Sequence, residues 1–109
     1  MTDSYVPDRG HLVWLDFDPQ AGHEQAGHRP ALVLSPQAYN RHGQFICVPL
    51  TTKVKGNPFE VTISSGERPA VALADQVKHF DWQARGARFI RRVDSAELGR
   101  VRTLARGLI

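Results

Sequence analysis

Two short segments of this chain hold the residue types that chemistry on a phosphate needs. The first, Asp18-Pro-Gln-Ala-Gly-His-Glu-Gln-Ala-Gly-His-Arg-Pro30, gathers His23, Glu24, His28 and Arg29 within thirteen residues of low apolar content. Loops of that length in compact domains are usually functional or disordered. Gly22 and Gly27 can take positive φ and let the backbone approach a ligand. Arg29 directly precedes Pro30, which biases it to extended backbone at the base of the loop, where a strand begins. A guanidinium fixed there, beside a loop carboxylate, fits a phosphate site. The second segment, Pro49-Leu-Thr-Thr-Lys-Val-Lys-Gly-Asn-Pro58, sets the hydroxyls of Thr51 and Thr52 and the ammonium groups of Lys53 and Lys55 before a Gly-Asn-Pro turn. In extended backbone the two threonines point to opposite faces, so one of them serves a given site. The plainer reading of this segment is a turn-capping hydroxyl followed by surface lysines.

These segments must be held by something, and the apolar pattern says it is a sheet. Runs of apolar and β-branched residues recur at short spacing between clusters of Gly, Pro, Asn and Ser, which predicts strands joined by loops. The expected strands are His11–Phe17, Ala31–Leu34, Gln44–Thr51, Phe59–Ile63, Val71–Ala74 with its continuation to Val77, and Ala87–Ile90. Pro49 lacks a ladder donor, so the third strand is expected to be bulged or at an edge there. Leu98, Val101, Leu104, Ala105 and Leu108 form a stripe at spacings of three and four, the one convincing helical period. Asp94 with Glu97 has the spacing of a capping box and places the helix start near Asp94. Several short strands with one terminal helix predict a mainly β fold: a small, strongly bent barrel with helical additions.

Length and composition agree with one globular domain spanning residues 1–109. The chain is 41% apolar, 23% charged and 8% aromatic. Cys47 is the single cysteine, which excludes an internal disulfide framework and a Cys-based zinc site, and in an apolar strand it reads as structural. The five histidines show no helical i, i+4 ligand spacing, so no metal is expected. No apolar run reaches the roughly 18 residues of a membrane span. The first eight residues carry two acids and no basic residue before Arg9, unlike a targeting signal. A cytoplasmic location is therefore expected. The formal net charge of +3 is unevenly spread. Residues 85–109 hold seven arginines against two acids, net +5, whereas residues 1–84 are net −2. Such a segment suits a polyanion or an acidic partner. Arg100, Arg102 and Arg106 fall outside the helical stripe, so they equally fit a solvated face.

Read together, Tyr5-Val-Pro-Asp-Arg-Gly10, Trp14-Leu-Asp-Phe-Asp-Pro19, Glu24-Gln-Ala-Gly-His-Arg-Pro30, Val48-Pro-Leu-Thr-Thr52, Lys55-Gly-Asn-Pro-Phe-Glu60 and Val71-Ala-Leu-Ala-Asp-Gln-Val77 resemble the MazF/PemK family of toxin endoribonucleases. The resemblance runs from about Tyr5 to Gly86 and lapses in the arginine-rich remainder. It implies an SH3-like barrel with a C-terminal helix and a homodimer. It also implies a type II toxin that cuts single-stranded mRNA at short sequences without cofactor or metal, leaving 2′,3′-cyclic phosphate and 5′-hydroxyl ends. Closeness to the family's archetype points to ACA-containing sites. A MazE-like antitoxin with an acidic tail is the implied partner. The family's catalytic arginine falls on Arg29, its catalytic threonine on Thr52 and its active loop glutamate on Glu24.

The residue chemistry is compatible with that implication. Attack of a ribose 2′-OH on its own phosphate needs a proton acceptor, stabilisation of charge on phosphorus, and a proton for the departing 5′ oxygen. Arg29 can hold two phosphate oxygens, and its pKa above about 12 makes it a charge stabiliser and donor rather than a base. Glu24 is then the expected base, with Thr52 donating to a phosphate oxygen. Further RNA contacts are expected from Phe17, Gly27, His28, Lys53, Lys55, Gln76 and Lys78, while Trp14 is expected to face the antitoxin. For Phe17 and Trp14 the competing reading is a place in the core. The rival function is a non-enzymatic toxin on the same barrel, as in the related CcdB, which poisons DNA gyrase. Fold alone does not separate the two. The chemistry of Arg29, Thr52 and Glu24 does, because only the nuclease needs it.

Overall fold

The computed structural model describes residues 5–18, 27–64 and 69–109. Its elements run β1 (His11–Asp16), β2 (His28–Val33), α1 (Gln37–Asn40), β3 (Gln44–Thr51), β4 (Glu60–Ile63), β5 (Ala70–Leu73), β6 (Lys78–Asp81), β7 (Arg88–Arg92) and α2 (Ser95–Gly107). All described strand pairs are antiparallel, in the order β4-β5-β3-β2-β1-β7, with β6 also paired to β3. The expected mainly β class with a C-terminal helix is what the chain forms.

Both faces of this curled sheet are covered, which is why its strands read as continuous apolar runs rather than clean alternations. On β1, Leu12 joins a core with Leu32, Val48, Leu50, Ile63 and Val101, under α2. Its neighbours Val13 and Leu15 turn the other way, into a second core with Phe17, Ala31, Phe45, Cys47, Phe80 and Trp82. Helix α2 seats Val101 and Ala105 in the first core, as the stripe predicts, while Leu108 at its end is exposed. Asp94 caps the helix, its carboxylate accepting the N–H groups of Ala96 and Glu97 at 3.1 and 3.3 Å. Glu97 does not close the expected box. Its Oε2 instead accepts the backbone N–H and hydroxyl of Ser64, at 3.0 and 2.9 Å, tying the helix to the end of β4.

One expectation holds and two others change. β3 is open on one side at Pro49, as expected, although the strand as a whole is central: its first half pairs with β6 up to Cys47, and its last residues, Leu50 and Thr51, pair with β5. Pro49 stands at that changeover, where one ladder has ended and the next has not begun. β6 and the short α1 are additional to the predicted elements. Around α1, Asn40 is fully buried and satisfied, donating to the carbonyls of Pro7 and Ser35 and accepting the Ser35 hydroxyl. Finally, β2 begins at His28, so Arg29 and Pro30 lie within a strand. Gly10, at φ +90, lets the turn before β1 approach α2 so closely that a Cβ there would sit 3.2 Å from Leu98.

Candidate active site

The pairing of β2, β3 and β5 brings the ends of distant segments to one place. Arg29 is the second residue of β2, in register with Leu15 of β1. Thr51 ends β3, and the chain leaves the sheet at Thr52. Together with Lys53, Lys55, Asn57, Glu60, Leu73, Asp75 and Gln76 they line a cleft of about 410 Å³. Arg29, Thr52, Lys53, Lys55 and Gln76, expected from sequence to act on RNA, are therefore neighbours in space. A second, more apolar cavity of about 200 Å³ shares Arg29, Thr51 and Thr52 with the first and adds Trp14, His28, Pro30, Leu50 and Ala70.

The two threonines do not divide between faces as extended backbone would require, since the strand ends between them; both line both cavities. They differ in what their surroundings ask of them. Thr51 is buried, and its hydroxyl oxygen accepts the backbone N–H of Lys53 at 3.1 Å, the turn-capping role that the plainer reading assigns to this segment. Thr52 is exposed. The segment beyond it is anchored from β4. Glu60 accepts the backbone N–H groups of Lys55 and Gly56 at 3.0 and 2.8 Å, and Asn57 accepts that of Phe59 at 2.9 Å. Lys53 and Lys55 are both exposed, and with Arg29 they give the cleft three cationic side chains beside two carboxylates, Glu60 and Asp75. Sequence reasoning misses Glu60, Asp75 and Asn57 as site residues. The sequence signals for Glu60 are its place on the polar phase of an alternating strand and at the end of the Lys55-Gly-Asn-Pro-Phe-Glu60 motif.

Just before the same end of β2, Gly27 adopts φ +76, donates its N–H to Asp18 at 2.8 Å and accepts the N–H of Phe17 at 3.0 Å. The same place is braced by Arg85, whose guanidinium donates to the carbonyls of Asp16 and Asp18 at 3.1 and 3.0 Å and lies 3.9 Å above the Phe80 ring. Glu24 lies outside the described residues, as do His23 and Gly22.

One expected RNA contact is displaced by packing, and another stands apart from the cleft. Phe17 has no exposed surface; its ring meets Phe80 edge-on at 5.4 Å in the second core, so it offers no face to a base. It is a core residue because the sheet curls over the end of β1. Lys78 does not line the cleft. It sits opposite Cys47 in the β3–β6 ladder, on the side of the second core. Trp14 is half-buried and stacks on His28, ring centroids 6.3 Å apart. Cys47 is fully buried, and burial pushes its thiol well above the usual range, so it is a packing residue. Among the described residues no three His, Cys, Asp or Glu side chains gather as a metal site requires. No helix there is long and apolar enough to cross a membrane.

Comparison with known proteins bears on this geometry. The family model described as "PemK-like, MazF-like toxin of type II toxin-antitoxin system" matches residues 8–108. The chain belongs to this family. Within it, the chain is similar to the protein named endoribonuclease toxin MazF of Escherichia coli strain K12, at 62% identity over 88 residues, 80% of this chain and 79% of that one. Among solved structures it is similar to MazF of Deinococcus radiodurans, with a TM-score of 0.91, 48% identity, and 96% and 97% of the two chains covered. A MazE–MazF complex from the same organism matches at a TM-score of 0.83 and 42% identity, over 96% of each chain. The family match runs through α2, so the arginine-rich end, where the motifs lapse, still belongs to the toxin fold.

Proposed function

We propose that this MazF-like chain is the toxin of a type II toxin–antitoxin pair and acts as an endoribonuclease on single-stranded RNA, without a metal or other cofactor. The observation that carries this reading is the meeting of Arg29, the exposed Thr52 and two lysines in one cleft, in a chain 62% identical to a protein named as an endoribonuclease toxin. The ribose 2′-OH gives its proton to Glu24 and forms a bond to phosphorus. The bond from phosphorus to the 5′ oxygen breaks, that oxygen takes a proton from the Arg29 guanidinium, which solvent restores as Glu24 releases the one it took, and the products are a 2′,3′-cyclic phosphate and a 5′-hydroxyl. Arg29 spans two phosphate oxygens with its fork and meets the charge that develops there, typically the largest contribution to catalysis of this kind. Thr52 donates to a phosphate oxygen. Gln76, Lys53 and Lys55 hold the neighbouring nucleotides, and His28 and Gly27 border the strand where it enters.

The chain acts in the cytoplasm as a single domain and as a homodimer, whose two copies form a longer groove than 109 residues enclose alone. A MazE-like antitoxin silences it by laying carboxylates along the cationic cleft and an apolar side chain against Trp14. The test is incubation of the purified protein with a long RNA in EDTA, followed by mapping of the new 5′ ends. Cleavage at a recurring short sequence, ACA-containing on this reading, is expected. Intact RNA at high enzyme concentration contradicts it, and metal-dependent cleavage contradicts the mechanism.

A further inference from the structure

A second cationic site lies at the far end of the strands that carry the first. Arg9, Arg102 and Arg106 border a cavity of about 210 Å³ with an apolar floor that includes Leu34, Ile46 and Val77. Among the described residues no acidic side chain lines it. Arg9 is fixed there, its Nε donating to the carbonyl of Leu34 at 2.8 Å. The three guanidiniums feel one another: burial and the charges of Arg9 and Arg106 both disfavour the charged form of Arg102. Ala105 and Ile109 complete the lining, and like charges brought together around an apolar floor, with no acidic side chain among them, favour an incoming anion.

This cavity is separate from the candidate active site but is its neighbour along the chain. Gln76 lines the active cleft and the next residue, Val77, lines the arginine cavity and is 37% exposed. Along β2, Arg29 and Leu34 are five residues apart, roughly 16 Å of strand. A strand of RNA lying in the cleft and passing over Gln76 and Val77 arrives at the three arginines within a few nucleotides.

We propose that Arg9, Arg102 and Arg106 form a phosphate-binding exosite that grips the flank of the RNA strand whose scissile phosphate lies at Arg29, the apolar floor taking the face of a base or ribose. This rests on the ribonuclease reading for its substrate, but not for its test. Guanidinium forks suit phosphodiesters, and two or three of them add affinity without adding sequence preference. The length of the substrate, and not only its cleavage sequence, then decides how tightly the protein holds it.

Binding separates this inference from the catalytic one when 2′-O-methyl RNA is used, because it lacks the nucleophile and stays intact. Fluorescence anisotropy is read with a labelled short 2′-O-methyl oligonucleotide and with the same sequence carrying flanks of about ten nucleotides. The wild type is expected to bind the flanked RNA about tenfold more tightly than the short one. Arg102→Gln/Arg106→Gln is expected to lose most of that advantage, and its salt slope on flanked RNA to fall by about 1.4, some 0.7 for each phosphate no longer neutralised. Arg100→Gln, on the same helix but outside the cavity, keeps the advantage. Equal length dependence in the wild type and the double variant overturns the exosite, as does an equal loss in Arg100→Gln. Loss of antitoxin affinity by the double variant with RNA binding unchanged also overturns it, and assigns the cavity to an acidic peptide. A wild type that binds flanked RNA through these arginines yet leaves ordinary RNA intact keeps the exosite and refutes the nuclease.

Discussion

The Glu60 carboxylate accepts the backbone N–H of Gly56 at 2.8 Å and so pins the segment that carries Lys53 and Lys55 to the rim of the cleft. A second bond, from the N–H of Lys55 at 3.0 Å, uses the other oxygen. Glu60 is thus a positioning residue. Glu60→Ala is expected to raise KM for RNA several-fold and to change kcat less, since the lysines lose their placement while Arg29 and Thr52 stay on β2 and the end of β3. An unchanged KM in steady-state cleavage assays refutes this.

Both ring nitrogens of His11 face donors. Nε2 lies 3.1 Å from the guanidinium of Arg92, and Nδ1 lies 3.2 Å from the backbone N–H of Asp8 and 2.7 Å from the Tyr5 hydroxyl. Burial first, and the charge of Arg92 second, hold its pKa below the ordinary 6.5. The unfolded chain therefore binds a proton here before the folded one does, and stability falls as pH drops below about 6.5. Urea denaturation at pH 7 and pH 5 is expected to show a smaller loss for His11→Asn than for the wild type. An equal or greater loss in the variant contradicts the account.

Asp94 satisfies two N–H groups at the start of α2, and that helix supplies Val101 and Ala105 to the core. Asp94→Ala is expected to cost about 0.5–2 kcal/mol of unfolding free energy. Chemical denaturation checks it, and a midpoint equal to that of the wild type contradicts it.

Cys47 is fully buried, and its thiol is held far from ionisation. A thiol-specific reagent is expected to label the native protein far more slowly than the denatured chain. Rapid labelling of the folded protein contradicts the packing around β3.

What the sequence makes legible follows the range of each interaction. The start of α2 is readable because Asp94 caps groups two and three residues away. The role of Glu97 is not, because its partner Ser64 is 33 residues distant. β1 and β3 carry dense apolar runs and β4 alternates apolar with polar, so all three are legible; Lys78-His-Phe-Asp81 has one large apolar residue and gains its strand only by pairing with β3. Arg29 and Thr52 come from motifs and from the resemblance. Asp75 and Glu60 reach the same cleft through the β3–β5 and β4–β5 ladders, which no local pattern encodes. Phe17 shows the opposite error: a residue beside a long loop reads as accessible until the sheet curls and closes Phe80 over it. Arg85 reads as one more charge in a basic tail, yet it holds the carbonyls of Asp16 and Asp18.

The proposed role of the Arg29 guanidinium in the chemistry is tested most directly by single-turnover cleavage of a long RNA in EDTA by the wild type and Arg29→Ala, with circular dichroism confirming that both are folded. Arg29→Ala is expected to cleave roughly 10²–10⁴-fold more slowly, and Arg29→Lys to remain poor because a point charge does not replace the bidentate fork. Cleavage by folded Arg29→Ala at a rate near that of the wild type contradicts the account.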